Sequence, residues 1–399
     1  QPGFRFNRIF TSNKSRTEGA FWRIFSQPGR PYGEPGGVEL SESDVISIAS
    51  HMSALPELAL SPDMLETVRL IVHGSSIIGW NRSNFRTRED VDRFFRLLLL
   101  DPNDPEDQRR IRFVYGESVS YLEEHLGLHF PEDLRNPEDI RDVFVDSSKT
   151  GGFRRRQIQA CVILKLMHVI NHLEAAELKH QTPLSEAELL DLAERRIVAG
   201  ADEMRRSGFP LVAFYGSRKT RNSVITKLLS KKENTAATIF DKLRFRIVTE
   251  KKEDILPAIA WLTQNLFPFN YVIPGESHNN LVQLSEVLER PEYSDFRESM
   301  QGGNIPEDQQ LSPEQNPFSG SGYRMVNFIV DFPVRVDHLV NVRYGALLGR
   351  TAMVLVEFQV LDRETARLNE EGENAHKLYK ARQKGLVSSR LKKGAKYKR

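Results

Sequence analysis

Two acidic residues interrupt apolar strand patterns in widely separated parts of the chain. In "TIFDKLRFRIVTEKKEDIL", residues 238–256, Asp241 stands among Ile239, Phe240, Leu243, Phe245, Ile247 and Val248. In "TAMVLVEFQVLD", Glu357 does the same, and Gln359, two residues on, projects from the same side of a strand. An ionised carboxylate that leaves water needs a partner charge, a metal or hydrogen-bond donors. Two such acids on central strands of one domain suit Mg²⁺, which takes one or two carboxylates and completes its shell with water and substrate phosphates. A plainer reading stays open for each acid, a strand-end carboxylate satisfied by backbone donors. Just ahead of the first, "SRKTRNSVITKLLSKK" spaces Lys219, Ser223 and Lys227 four residues apart, on one helical face that Lys231 continues. Ammonium groups and a hydroxyl at a helix start suit a triphosphate. The same row also reads as a solvated helix face.

The elements that must position these residues follow from pattern and punctuation. Residues 1–39, with "SQPGRPYGEPGG", read as a flexible arm. Residues 40–150 read as a helical region, with start signals at "SESD", at "TRED" (Thr87 to Asp90) and at "NPED" (Asn136 to Asp139). Residues 151–207 read as connecting helices. The first takes Ile158, Val162, Val169, Ile170 and Leu173 as its apolar face; the second opens on the capping box Ser185–Glu188 and ends at Ser207-Gly208. From 208 to 385 strands alternate with helices, which predicts an α/β (α+β) domain with a mixed sheet flanked by helices. Its last helix is expected over "ETARLNEEGENAHKLYKARQKG", and residues 386–399 are left as a basic tail.

Lys plus Arg number 56 and Asp plus Glu 54, so the formal net charge of +2 announces neither a nucleic-acid nor a membrane partner. The single cysteine, Cys161, rules out an intrachain disulfide and fits a reducing, cytoplasmic compartment. Among Ala160, Val162 and Ile163 it reads as a buried, inert thiol. No apolar run approaches the roughly 20 residues of a membrane-spanning helix. His168 and His172, four apart, have a metal-ligand spacing, but no Glu or Cys completes a site. Trp22, Trp80 and Trp261 read as core.

Four blocks, in order, carry a resemblance. "SRKTRNSVITKLLSKK" is similar to R-x-K-x-x-x-S-I-x-x-K. "IFDKLRFRIVTEKKEDI" resembles I-x-D-x-x-x-x-R-I-V, with Asp241 and Arg246 in register. "SGYRMVN" resembles N-G-Y-x-S-x-H, the tyrosine being Tyr323. "VLVEFQVLDRETARLNEEGENAHKLYK" resembles V-E-I-Q-I-R-T followed by A-E-x-G-x-A-A-H-x-x-Y-K, with Glu357, Gln359, Glu370, His376, Tyr379 and Lys380 in register. These are blocks of the synthetase domain of the RelA/SpoT family, which makes the alarmones (p)ppGpp, and residues 217–380 resemble it as a divergent stand-alone member.

The resemblance implies a nucleotidyltransferase-like synthetase fold and an ATP-dependent pyrophosphotransferase. Asp241 and Glu357 would be the catalytic pair and hold Mg²⁺ against ATP. Lys219, Ser223, Lys227, Arg218, Arg221 and Arg246 would bind ATP; Tyr323, Gln359 and His376 would meet the acceptor, GDP or GTP. Such transfer depends chiefly on positioning and on neutralising spread negative charge. Departures are specific. Ser217 stands where the basic block has its first Arg, with Arg218 one place along, and Arg221 could substitute. Ser321 and Asn327 replace the Asn and His of the tyrosine block, Leu361-Asp362 replaces Arg-Thr, and a long insertion precedes Tyr323. Two alternatives follow: pyrophosphorylation of the tRNA 3′ end by the same site, and a catalytically silent nucleotide sensor. The tail suits RNA or an acidic partner; an oligomer stays open.

Overall fold

The strands predicted from alternating apolar residues form one sheet in the computed structural model, which describes residues 21–23, 60–72, 84–149, 154–181, 183–230, 242–289, 291–294, 322–336, 348–371 and 376–395. Strand β1 is Phe21–Arg23. Among the described residues five helices follow, one of them the single turn Glu132–Arg135. The four longer ones, each started by local chemistry where its cap is described, are α1 (Pro62–Val72), α2 (Arg88–Leu97), α3 (Pro105–Glu124) and α4 (Ile140–Ser148). Thr87 and Asp90 make a reciprocal capping box for α2. Asp104 accepts from two backbone amides at the start of α3, with Pro105 in its first turn, and Asp139 caps α4. Two long helices come next, α5 (Arg154–Gln181) and α6 (Glu186–Arg206), the second opened by the expected Ser185–Glu188 box. Gly208, at φ 83°, turns the chain out of α6 in the left-handed conformation that glycine tolerates best.

The main elements of the α+β domain are then β2 (Leu211–Arg218), α7 (Arg221–Ser230), β3 (Leu243–Thr249), α8 (Ile255–Asn265), β4 (His278–Asn279), β5 (Val326–Arg335), β6 (Thr351–Asp362), α9 (Arg363–Asn369) and α10 (His376–Ala395), with a short helical turn, Leu284–Leu288, after β4. The sheet order is β1-β2-β3-β6-β5-β4. β3 and β6 are parallel; the other pairs are antiparallel. One face of this mixed sheet is dry: Phe214, Phe245, Phe358 and Phe328 stack in a row across four strands, with centroids 5.2, 6.1 and 5.6 Å apart. Phe267, just past α8, closes on Phe358 at 5.2 Å, and Arg196 of α6 lies 4.7 Å over Phe332. Burial holds the Arg196 guanidinium down to about 10, and three backbone carbonyls, of Leu97, Leu266 and Pro333, accept from it.

Four sequence expectations change. The buried side of α5 is Ala160, Ile163, Leu164, Met167, Ala175 and Leu178, whereas Ile158, Val169 and Leu173 face solvent. Apolar and polar residues are interspersed around this helix without a dominant stripe, so periodicity alone misassigns its core face. The terminal helix is two helices. Asn369, 1% exposed, accepts from the backbone N–H of Arg324 and donates to its carbonyl, which ends α9 against the chain before β5. Residues 386–395 continue α10 as helix rather than leaving it as a tail. The arm contributes β1, which pairs with β2 through Phe21↔Ser217 and Trp22↔Gly216. Trp80 and the "SESD" start signal lie outside the described residues. Trp261 packs half-buried on the core, and burial pushes the Cys161 thiol up to about 11, as an inert thiol requires. No described helix is long and apolar enough to cross a membrane.

Candidate active site

The second face of the same strands is polar. The parallel register sets Arg244 beside Glu357 and Arg246 beside Gln359, so four hydrogen-bonding side chains project together from adjacent strands. Arg244 Nε donates to Glu357 Oε2 at 2.6 Å, and Gln359 Nε2 donates to Glu357 Oε1 at 2.9 Å. Glu357 and Gln359 are each 3% exposed. Both oxygens of this deeply placed carboxylate are engaged, one of them by a guanidinium, which is the pairing a buried carboxyl needs.

The network extends outward through Arg246. Its Nε donates to Gln359 Oε1 at 3.3 Å, and its terminal nitrogens reach Glu370 Oε1 at 3.1 Å and the Tyr323 hydroxyl at 3.0 Å. Tyr323 is held by two asparagine clamps. Asn280 donates to the Tyr323 carbonyl at 2.8 Å and accepts from Met325 N–H, while Asn369 grips Arg324 between them. The expected residues Glu357, Gln359, Arg246 and Tyr323 therefore meet in one connected cluster.

On β5, Asn327 pairs in register with Gln359, and Ser277 immediately precedes its β4 partner His278. Asn327 is 8% exposed, and its Oδ1, like Ser277 Oγ, has no hydrogen-bond partner among the described residues. A buried acceptor left unpaired beside a polar network is a place where an outside donor can bind.

The basic block lies at the other edge of β3. Lys219 precedes α7, its backbone N–H bonded to the Lys242 carbonyl at 3.0 Å, so it is not on the helical row with Ser223 and Lys227. Ser223 is buried, and Lys380 Nζ of α10 donates to its hydroxyl at 3.3 Å. Arg390 of α10 donates to the carbonyls of Leu229 and Ser230, fixing α10 across α7. Lys227 is half-buried and Arg221 exposed at the start of α7. Arg218 is not brought to the polar face. It pairs in register with Leu243, on the phenylalanine side, and forms ion pairs with Asp191, at 2.5 Å, and Glu194 of α6. Its place as an ATP ligand is corrected accordingly: two carboxylates already hold its charge.

Asp241 and the His376 side chain lie outside the described residues. Magnesium does not fit at Glu357 while Arg244 occupies Oε2, since a guanidinium on the carboxylate opposes a second cation there. Among the described residues no group of three or more His, Cys, Asp or Glu side chains is placed to hold a metal. His168 and His172 are not a metal pair either. His172 Nδ1 lies 2.8 Å from Asp331 Oδ2 and its ring stacks on Tyr271, while Asn270 Nδ2 lies 3.3 Å from His168 Nδ1. Burial, with His172 alongside, pushes His168 down to about 3, which keeps it neutral.

The residues missed from sequence are Arg244, Asn280 and Asn369. Arg244 alternates with Phe245 in the strand pattern, but its partner lies 113 residues away in a parallel ladder. The asparagines bind backbone, which leaves no periodic signal.

No protein-family model matches the chain, and no curated protein matches it. Among solved structures it is similar to small alarmone synthetase 2 from Bacillus subtilis, at 15% identity over 54% of this chain and 99% of that one, with a TM-score of 0.27. It is also similar to small alarmone synthetase 1 from Bacillus subtilis, at 14% identity over 57% of this chain and 92% of that one, TM-score 0.25. A structure of the latter bound to its product pppGpp gives 14% identity, 58% and 97% coverage and a TM-score of 0.23.

Proposed function

We propose that the polar face of β3 and β6 transfers the β,γ-pyrophosphate of ATP to the 3′-hydroxyl of GDP or GTP. The supporting observation is the single cluster of Glu357, Gln359, Arg246 and Tyr323, which come from three separate blocks of the alarmone-synthetase resemblance. In this reading the 3′-hydroxyl attacks the β-phosphorus of ATP, the bond from that phosphorus to the α–β bridging oxygen breaks, and AMP leaves. Glu357 takes the proton of the attacking hydroxyl, and Gln359 orients it. Lys219, Lys227, Arg221 and Lys380 meet the ATP phosphates from the α7–α10 edge, and Tyr323 offers a flat ring to the acceptor base. A guanine presents N–H donors, which the unpaired Asn327 Oδ1 would accept. His376 is kept as an acceptor contact on resemblance alone, and Asp241 as the second acid.

The test is product analysis after incubating the folded protein with ATP, magnesium as its counter-ion, and GDP or GTP. AMP and a 3′-pyrophosphorylated nucleotide are expected; neither product would defeat the reading. Labelled β-phosphate on tRNA but not on GDP would move the acceptor to the tRNA 3′ end. A second reading, nucleotide binding without transfer, has its own support in the ion pair between Arg244 and Glu357, which engages the base that transfer needs. ATP binding by calorimetry with no turnover would select it.

A further inference from the structure

We infer that the Arg244 guanidinium fills the cation position at Glu357, so that in the free protein this carboxylate takes no divalent cation. Three features converge on Arg244. The parallel register puts it directly beside Glu357, and the antiparallel register on its other side puts it opposite Ser217. Serine is small, so the long arginine side chain meets little bulk from β2 as it crosses to Glu357. Its Nε then lies 2.6 Å from Oε2, the distance of a charge-assisted hydrogen bond.

Among the described residues the charges of the cluster also balance without a metal. Glu357 and Glu370 carry two negative charges, Arg244 and Arg246 two positive ones, and Gln359 and Tyr323 are neutral. A dication added at Glu357 would leave that sum at plus two, in a place where the Glu357 carboxylate is nearly dry and Coulomb repulsion is poorly screened. Magnesium also asks for near-octahedral oxygen ligation, whereas a buried carboxylate already accepting from a guanidinium and an amide offers it a crowded edge. Arg244 is thus a positioning residue for Glu357. It holds the carboxylate in place, and it reserves the neighbouring positive charge for an arriving phosphate.

This inference concerns the face assigned above to transfer, but its test uses no nucleotide, so its failure and that of the proposed reaction are read separately. The full chain is titrated with Mn²⁺ alone, and free Mn²⁺ is followed by its electron paramagnetic resonance signal. Wild type is expected to bind no Mn²⁺ that Glu357→Gln abolishes. Arg244→Ala is expected to gain one site, at least about a hundredfold tighter than anything wild type holds at Glu357. Arg244→Ala/Glu357→Gln should lose it again, and Arg244→Lys, which keeps the charge, should not gain it. A wild-type site lost in Glu357→Gln overturns the inference, as does a folded Arg244→Ala protein that gains none. Should Arg244→Ala unfold, wild type against Glu357→Gln still decides.

Discussion

Along β3, Leu243, Phe245 and Ile247 point to one side and Arg244 and Arg246 to the other; along β6, Val356, Phe358 and Val360 oppose Glu357 and Gln359. The same two backbones thus carry a dry aromatic layer on one face and a charged network on the other. The aromatic face gains from area removed from water and tolerates no gap. The charged face gains from pairing, and its cost falls on whichever partner is left alone. The two faces should therefore fail differently. Truncation harms the first in proportion to volume, whereas the second is harmed by single changes and forgiving of paired ones.

Phe358→Ala should give the largest loss. The ring touches Phe245, Phe267 and Phe328 and is fully buried, so about 3–5 kcal/mol of unfolding free energy is expected to go, read from urea denaturation. A loss below about 1 kcal/mol would mean that the layer is not packed as described. On the other face, Glu357→Met removes the buried carboxylate that accepts from both Arg244 and Gln359, and about 3 kcal/mol is expected. The double variant Arg244→Leu/Glu357→Met should return to within about 1 kcal/mol of wild type. Additive losses instead would erase the contrast between the faces.

The far end of the charged face adds a titration. Asp331 shares that side of β5 with Asn327 and Ile329 and meets His172, whose helix neighbour His168 is held neutral by burial. With His168 at about 3 folded and near 6.5 unfolded, the unfolded chain binds the extra proton across that window. Its contribution is therefore full above pH 6.5 and declines as the pH falls towards 3. Stability should drop by about 2 kcal/mol from pH 7 to pH 5. The slope should flatten in His168→Gln; an unchanged slope would assign the drop to other groups.

How much of this could be read in advance depends on the range of the signal. Thr87–Asp90 and Ser185–Glu188 were legible because a helix start is written within four residues. Glu357 and Gln359 were legible as one face because strands repeat every two residues, and the structure buries both together. Arg244 looked like an ordinary polar strand position, because its meaning depends on which strand lies alongside. The strand β1 was hidden in a Gly- and Pro-rich segment, and Asn369 ends α9 through the backbone of residue 324, 45 positions away. Local rules carry elements; they do not carry the pairings that assemble a site.

Helix α5 offers the smallest and most discriminating test of that limit. Periodicity placed Leu173 in the core, yet it is 67% exposed, while Leu164, nine residues earlier, is fully buried against the other helices. Leu164→Ala should cost about 2–5 kcal/mol, because a cavity remains where the side chain was. Leu173→Ser removes a side chain that water already covers, so only the modest helix-propensity difference is left, and the change should stay within about 0.5 kcal/mol. Denaturant midpoints of the two variants, measured side by side, decide the rotation of α5. Equal losses would turn Leu173 back towards the core and with it the face of α5 that carries His168 and His172.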